Sequence, residues 1–467
     1  MQSSTDMLIE TLKEIVGPNG WTVDAADLEP HLTEWRNVVR GATPIMVKPA
    51  TTDEVSAVVR ACAAAGVAIV PQGGNTGMCA GAVPDPSGEQ VLLNLSRMNR
   101  IRSVDAADFS LVADAGCVLA NLQRAAEEVD RLFPLSLGGE GTCQIGGNLA
   151  TDAGGINVIR YGTTRDLVLG VEAVLADGRV YDGLRTLRKD TAGYDLKQLF
   201  IGSEGTLGII TGVAVKLFPA QEASRTAMLA IDDAEKAVEL LGVLRGSLDD
   251  AIQSFELIGM TALDLVLEHI PDTRLPFESA APWYVLLEAT TGEGDRLERA
   301  LLPVVNSGLA RDAVIAKNDR ESDALWRMRH SISEAEKKIG QGVKHDISVP
   351  IGRMRDFLTM GDARLAEQIP EATLVAFGHV GDGNLHYNVV LPKSLLGDDL
   401  VARRKAVSRL VYDLVAELNG SISAEHGIGV LKRDWLHEYK DPVELDLMRT
   451  LKTALDPHSI LNPGKVI

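Results

Sequence analysis

A chain of 467 residues is longer than one hydrophobic core usually supports, so two or three domains with room for a cofactor are expected. With 45% hydrophobic and 24% charged residues it falls among soluble globular proteins and away from disordered ones. A net charge of −19 with no compensating Lys/Arg run argues against nucleic acid as a partner, and an anionic substrate must be caught by a few local cations.

The opening MQSSTDMLIETLKEIVG lacks the basic segment and apolar core of a secretory signal and the arginines of a transit peptide. No uninterrupted apolar run approaches the roughly 18 to 20 residues that span a bilayer. The expected setting is cytoplasmic, with attachment to a membrane surface left open. Cys62, Cys79, Cys117 and Cys143 show neither zinc-ligand nor ferredoxin-like spacing and read as reduced thiols. The stretch IMVKPATTDEVSAVVRACAAAGVAIVPQGGNTG predicts strand, helix, strand and glycine loop, with Thr51 and Glu54 at capping-box spacing and Gly66 as the stop. Strands are expected at VLLNLS and SLVADAG and a helix from Leu119 to Glu128. Residues 138–155, GGEGTCQIGGNLATDAGG, carry too many glycines for a helix or strand interior and predict backbone wrapped closely around a ligand.

After GSEGTLGIITGVAVKLFPA the pattern changes. From Thr226 to about Ala316, TAMLAI, AIQSFELI, WYVLLEAT and AVIA read as strands, with helices between them, which predicts a separate α+β domain. The run ESDALWRMRHSISEAEKKIG reads as helical, and AFGHVGDGNLHYNVV follows on a strand. No tandem repeat or low-complexity tract is visible.

Either glycine loop, 72–81 or 138–155, could present backbone N–H groups to a diphosphate or be only a tight turn; neither has the glycine spacing of a nicotinamide-binding fingerprint. Taken with RYGTTRDLVLGVEAVLADGRV and GYDLKQLFIGSEGTLGIIT, the two loops resemble the vanillyl-alcohol-oxidase type of FAD-binding domain, in its D-lactate and D-2-hydroxyglutarate dehydrogenase branch. The likeness covers nearly the whole chain after residue 35. It implies an α+β fold with an FAD-binding domain in two parts, residues 1–219 and 421–467, and a ferredoxin-like substrate or cap domain at 220–420. It also implies FAD held by Pro71, Gly73, Gly74, Asn75, Thr76 and Gly77 on the first loop. The second loop would contribute Gly138, Gly141, Thr142, Gly146, Gly147, Asn148 and Gly155, joined by Ile209 and Asn462. Relatives with covalent flavin place a histidine in the first loop; Asn75 stands there, so the FAD is expected to be noncovalent.

His379 and His386 flank the bend Gly381, Asp382, Gly383, so two imidazoles can converge, although a lone histidine on an apolar strand is more often a core residue. SAEHGIG adds Glu425 beside His426, in a chain with nine histidines. Two His and one carboxylate form a catalytic metal set that leaves a position for substrate. The resemblance assigns the same roles: His379, His386 and Glu425 as ligands, Asn388 on the substrate carboxylate and His426 as base. Zinc leads, and manganese or cobalt suit the same donors.

In WRMRHSISEAEKKIGQGVKHDISVP, Arg329 and Ser333 are four apart and fall on one helical face, with Lys344 beyond. Spacing alone fits a solvated surface; the resemblance assigns the trio to a distal carboxylate, with Ser333 in place of a threonine. The expected enzyme is an FAD-dependent D-2-hydroxyacid dehydrogenase that oxidises a small anionic 2-hydroxy acid, D-2-hydroxyglutarate first, to the 2-oxo acid. D-lactate or a D-malate-like acid is the alternative within the family, and a noncatalytic flavin-binding subunit of an electron-transfer complex the alternative outside it. An electron-transfer flavoprotein, quinone or cytochrome is the expected acceptor, and a homodimer through the second domain the expected assembly.

Overall fold

In the computed structural model, which describes residues 4–221, 223–292 and 295–467, the helix predicted after Thr51 runs Thr52–Ala65. The Thr51 hydroxyl accepts the Glu54 amide at 3.1 Å, the Glu54 carboxylate accepts the Ala50 amide at 2.7 Å, and Gly66 closes the helix in the left-handed region, φ 67°. This helix connects Met46–Val47 to Ile69–Gln72, and both strands pair in parallel with Val91–Asn94. Such parallel pairing requires a crossover of this kind. Trp21–Thr22 adds an antiparallel edge.

A second, antiparallel sheet orders Ile101–Asp105, Ser110–Asp114, Ile209–Lys216, Val168–Val174 and Val180–Asp182. Arg102 joins its strands, donating to Asp114 at 2.6 Å and to Glu172 at 2.8 Å. Glu172 also accepts from Thr52 at 2.7 Å, which ties the helix Thr52–Ala65 to this sheet. These layers belong to one compact unit, Met1–Gly155, Gly162–Ala220 and Glu425–Ile467.

The other unit comprises Ile156–Tyr161 and Gln221–Ala424. Its four predicted strands form as Ser224–Ile231, Ile252–Gly259, Trp283–Thr290 and Asp312–Ile315, in the spatial order fourth, first, third, second. That order is the ferredoxin-like arrangement. The hairpin Thr373–His379 and Asn384–Leu391 extends the sheet beside Ile252–Gly259, and Gln341–Val343 and Asp346–Ser348 both pair with its outer strand. Ile258, Tyr284, Leu286, Trp326 and Phe377 pack in the core under this sheet. The chain is α+β, as expected.

Two local expectations fail. The second glycine region contains a helix, Ile145–Thr151. Gly146 is what lets it form against the neighbouring chain: its amide donates to the Ala115 carbonyl at 2.7 Å, and a Cβ there would lie 2.7 Å from the Ala115 Cβ. The helical run around Arg329 is two helices, Asp319–His330 and Ile332–Ile339, so Arg329 and Ser333 do not share one continuous face. Ser331 ends the first and begins the second.

Among the described residues no helix is long and apolar enough to cross a membrane. All four cysteines are free and buried, and burial pushes the Cys62 and Cys117 thiols up to about 12.

Burial alone would raise the Glu172 pKa, but the hydrogen bonds from Arg102, Thr52 and Thr211 outweigh it and hold the carboxyl below its ordinary 4.5. A depressed carboxylate stabilises the fold fully above the ordinary carboxylate range and loses that contribution as pH falls below it. Arg102→Met leaves Asp114 and Glu172 without their shared cation and is expected to cost about 3 kcal/mol at neutral pH. Denaturant unfolding of the two proteins should show that difference shrinking once both carboxylates protonate in acid.

Candidate active site

The strand Ile69–Gln72 delivers the chain into the first glycine loop at one wall of a cleft of about 890 Å³, its open mouth included. Pro71, Gly73, Gly74, Asn75, Thr76 and Gly77 line it, together with Gly146, Gly147, Asn148 and Ile209. Gly138, Gly141, Thr142 and Gly155 lie on the second glycine segment outside that lining. Gly74 must be glycine, because a Cβ would sit 2.2 Å from the Thr142 carbonyl oxygen of the second loop. Asn75 has φ 53° and bonds the carbonyls of Thr33 at 2.9 Å and Pro30 at 3.3 Å.

Among the described residues of this unit, buried side-chain oxygens of Gln144, Asn148 and Asn462 have no hydrogen-bond partner, and the first two residues line the cleft. A volume of this size with acceptors awaiting donors fits a ligand that carries ring N–H groups. Gln144, Glu204 and Cys143 also line the cleft; they stand within the glycine-rich stretches read from the sequence but were not among the expected binding residues, because the glycine pattern does not say which neighbouring side chains face the ligand. Asn462 donates to the Gly81 carbonyl at 2.9 Å and the Glu204 carbonyl at 2.7 Å.

His426 lines the same cleft. Its Nε2 is 3.8 Å from Glu425 Oε1, while Glu425 Oε2 accepts the Gly155 amide at 2.9 Å. Burial pushes the Glu204 carboxyl up to about 6, with the Ile428 and Gly429 amides and the Lys432 charge pulling it back.

In the second unit the hairpin register sets His379 opposite Asn384 and His386 opposite Phe377, so the two histidines are diagonal neighbours on one face. Their rings stand edge to face with centroids 5.6 Å apart. The convergence expected from the bend is therefore present. Glu256 faces His379 in register from the adjacent strand; one carboxylate oxygen bonds His379 Nδ1 and the other takes Arg329 at 2.7 and 2.8 Å. The Arg329 guanidinium also lies 4.6 Å above the Phe377 ring. Asp346 faces His386 in register, with Oδ1 4.0 Å from Nδ1.

The other expected substrate residues gather around Glu336. Its Oε2 accepts from Asn388 at 2.9 Å and lies 3.4 Å from Lys344, which is also 3.4 Å from the Ser333 hydroxyl. Its Oε1 is buried without a partner. Ser333, Lys344 and Asn388 are thus brought together, whereas Arg329 belongs with Glu256 and His379. Imidazoles with a carboxylate behind one and beside the other are donors suited to a divalent cation, the carboxylate fixing the ring it bonds.

Residues 220–466 match the family described as FAD linked oxidases, C-terminal domain, and residues 43–183 match the FAD binding domain. The chain is 39% identical over 463 residues to the mitochondrial D-2-hydroxyglutarate dehydrogenase of Arabidopsis thaliana, covering 98% of this chain and 81% of the relative. It is 37% identical to the D-2-hydroxyglutarate dehydrogenase of Stutzerimonas stutzeri, with 98% of each chain covered. The crystal structure of p-cresol methylhydroxylase with substrate bound aligns with TM-score 0.77 at 17% identity, over 100% of this chain and 97% of that one, and shares the fold.

Gly74→Ala forces apart the two loops that frame the cleft. Expected is a protein that folds but binds FAD at least about tenfold more weakly, read as flavin per chain after gel filtration.

Proposed function

The chain belongs to the FAD-linked oxidase family, and from that premise we propose that it oxidises D-2-hydroxyglutarate to the 2-oxo acid with noncovalent FAD. The observation that carries this reading is the near-complete alignment with dehydrogenases of that name. The paired imidazoles of the hairpin support it.

FAD, bound in the cleft, would accept the hydride from the substrate Cα. The residues lining the cleft would hold the ring system. The open positions beside Gly77 and Gly147, where an added Cβ would meet nothing within 4 Å, leave room for the ligand. Asn75, already bonded to two carbonyls, offers no imidazole for a covalent link, which is why the FAD is read as noncovalent.

His426 is the proposed base for the hydroxyl proton, and Asn388 the group that orients the substrate carboxylate. The Asn388 amide plane is fixed by its bond to Glu336 and by the His345 amide, 3.3 Å from its Oδ1. We assign His379, His386 and Glu425 as ligands of a divalent cation, zinc first, whose charge would lower the hydroxyl pKa. Glu256 bonds His379 at Nδ1, and Nε2 is the proposed ligand atom. Arg329, Ser333 and Lys344 are assigned to the distal carboxylate. Reoxidation falls to an electron-transfer flavoprotein, a quinone or a cytochrome, and an acceptor panel distinguishes them.

Anaerobic addition of D-2-hydroxyglutarate is expected to bleach the bound flavin within one turnover, and chelation followed by dialysis to abolish the bleaching until zinc, manganese or cobalt is restored. Faster bleaching by D-lactate would transfer the assignment to that acid; no bleaching by any 2-hydroxy acid would leave a flavin-binding subunit. Independently of activity, Glu256→Gln should weaken binding of the restored metal by about 10- to 100-fold in a direct titration. An unchanged affinity removes His379 from the ligand set.

A further inference from the structure

Glu204 is a buried carboxylate to which neither the flavin nor the proton-transfer assignments give a role. It stands in GSEGTLG, with φ 50°, between the short 3-10 helix Leu196–Leu199 and the strand Ile209–Lys216. Its Oε1 accepts the Ile428 amide at 2.6 Å and its Oε2 the Gly429 amide at 2.9 Å, two and three residues beyond His426. The first glycine loop takes the same segment from its other side. There the Cys79 thiol donates to the Gly427 carbonyl at 3.3 Å, and the Cys79 carbonyl accepts the Val430 amide at 2.9 Å.

The main chain of Glu204 is tied as firmly. Its amide donates to the Ala150 carbonyl at 2.8 Å, on the helix that carries Gly146 and Asn148. Its carbonyl accepts from Asn462, which reaches Gly81 with the same amide nitrogen. One residue thereby joins the helix Ile145–Thr151, the segment after His426 and the C-terminal stretch, and Asn462 extends the link to Gly81 of the first glycine loop. The carboxylate fills a gap that two glycines leave for it, since a Cβ on Gly81 would lie 2.7 Å from Oε2 and one on Gly427 2.8 Å from Oε1.

We infer that Glu204 is a positioning residue whose carboxylate, by taking the Ile428 and Gly429 amides, sets where His426 stands in the flavin cleft. The inference rests on His426 as the base proposed above. An ionised carboxylate accepts both amides, whereas a carboxamide offers one oxygen and turns an N–H donor toward the other amide. A misplacement of the base by about 1 Å is enough to slow proton transfer by up to about 100-fold.

The test compares the holoprotein with Glu204→Gln, His426→Ala and the double variant, each measured for flavin per chain, thermal unfolding, D-2-hydroxyglutarate affinity and anaerobic bleaching rate. Expected for Glu204→Gln is full flavin content, an affinity within about threefold of the parent and bleaching about 10- to 100-fold slower. The double variant is expected to be no slower than His426→Ala alone, because both changes disable one group. Unchanged bleaching in Glu204→Gln at full flavin content overturns the inference, as do effects that multiply in the double variant. Wild-type bleaching by His426→Ala overturns it by a different route, by removing the base on which it depends. Should Glu204→Gln fail to accumulate folded, Gly81→Ala displaces the carboxylate without removing it and is read by the same measurements.

Discussion

A carboxylate taken out of water needs a donor for each oxygen, and the nature of that donor decides whether the group stays charged. Glu256 is fully buried in the second unit, and burial alone would raise its pKa. The imidazole of His379 and the guanidinium of Arg329 outweigh that and hold it down at about 2. Glu204, buried against the cleft in the first unit, is met by two neutral amides and the more distant charge of Lys432, and there burial wins and pushes the carboxyl up to about 6. The imidazole and guanidinium hold one carboxyl down, while at the other, burial outweighs the amides and the Lys432 charge. Their neighbours differ accordingly: Glu256 bonds an arginine and a histidine ring, and Glu204 bonds the Ile428 and Gly429 main chain.

Much of this was legible locally. The helix Thr52–Ala65 was readable from Thr51, Glu54 and Gly66 because capping is settled within a few residues. The hairpin histidines were readable because strand alternation and a glycine bend fix which side chains share a face. The glycine loops were readable as close backbone approaches, and Gly74 against Thr142 is one. What the pattern missed are partners that meet only in three dimensions. Glu256 lies 123 residues from His379, Glu204 lies 224 from Ile428 and Glu336 lies 52 from Asn388. No periodicity links such pairs, and each carboxylate reads in sequence as one of 65 acidic residues on a solvated surface.

Two misreadings share a cause in propensity. Glycine is a poor helix former, so Ile145–Thr151 was read as loop; packing against Ala115 overrides that where a side chain would collide. Ser331 is an unremarkable helix residue by spacing, yet it ends one helix and starts the next, which separates Arg329 from Ser333. The face they were expected to share was a property of an unbroken helix.

That separation bears on how a second carboxylate would be selected. From the sequence, Arg329 and Lys344 were cations that a monocarboxylate would leave unmatched. In the structure Arg329 is matched by Glu256 and Lys344 by Glu336, so the four formal charges cancel before any substrate arrives. A distal carboxylate therefore gains from Lys344 only as far as it shares that ammonium with Glu336, whose Oε2 already takes Asn388 and whose Oε1 has no partner. Bringing a second anion to a buried, balanced pair yields little from charge alone, since desolvation offsets the attraction. Under the proposed assignment, discrimination between a dicarboxylate and lactate would then depend on how Ser333 and Lys344, 3.4 Å apart, share their hydrogen bonds among Glu336, each other and the second carboxylate. If this corner receives the distal carboxylate as proposed, Glu256 and Glu336 would bear on substrate choice as much as Arg329 and Lys344 do.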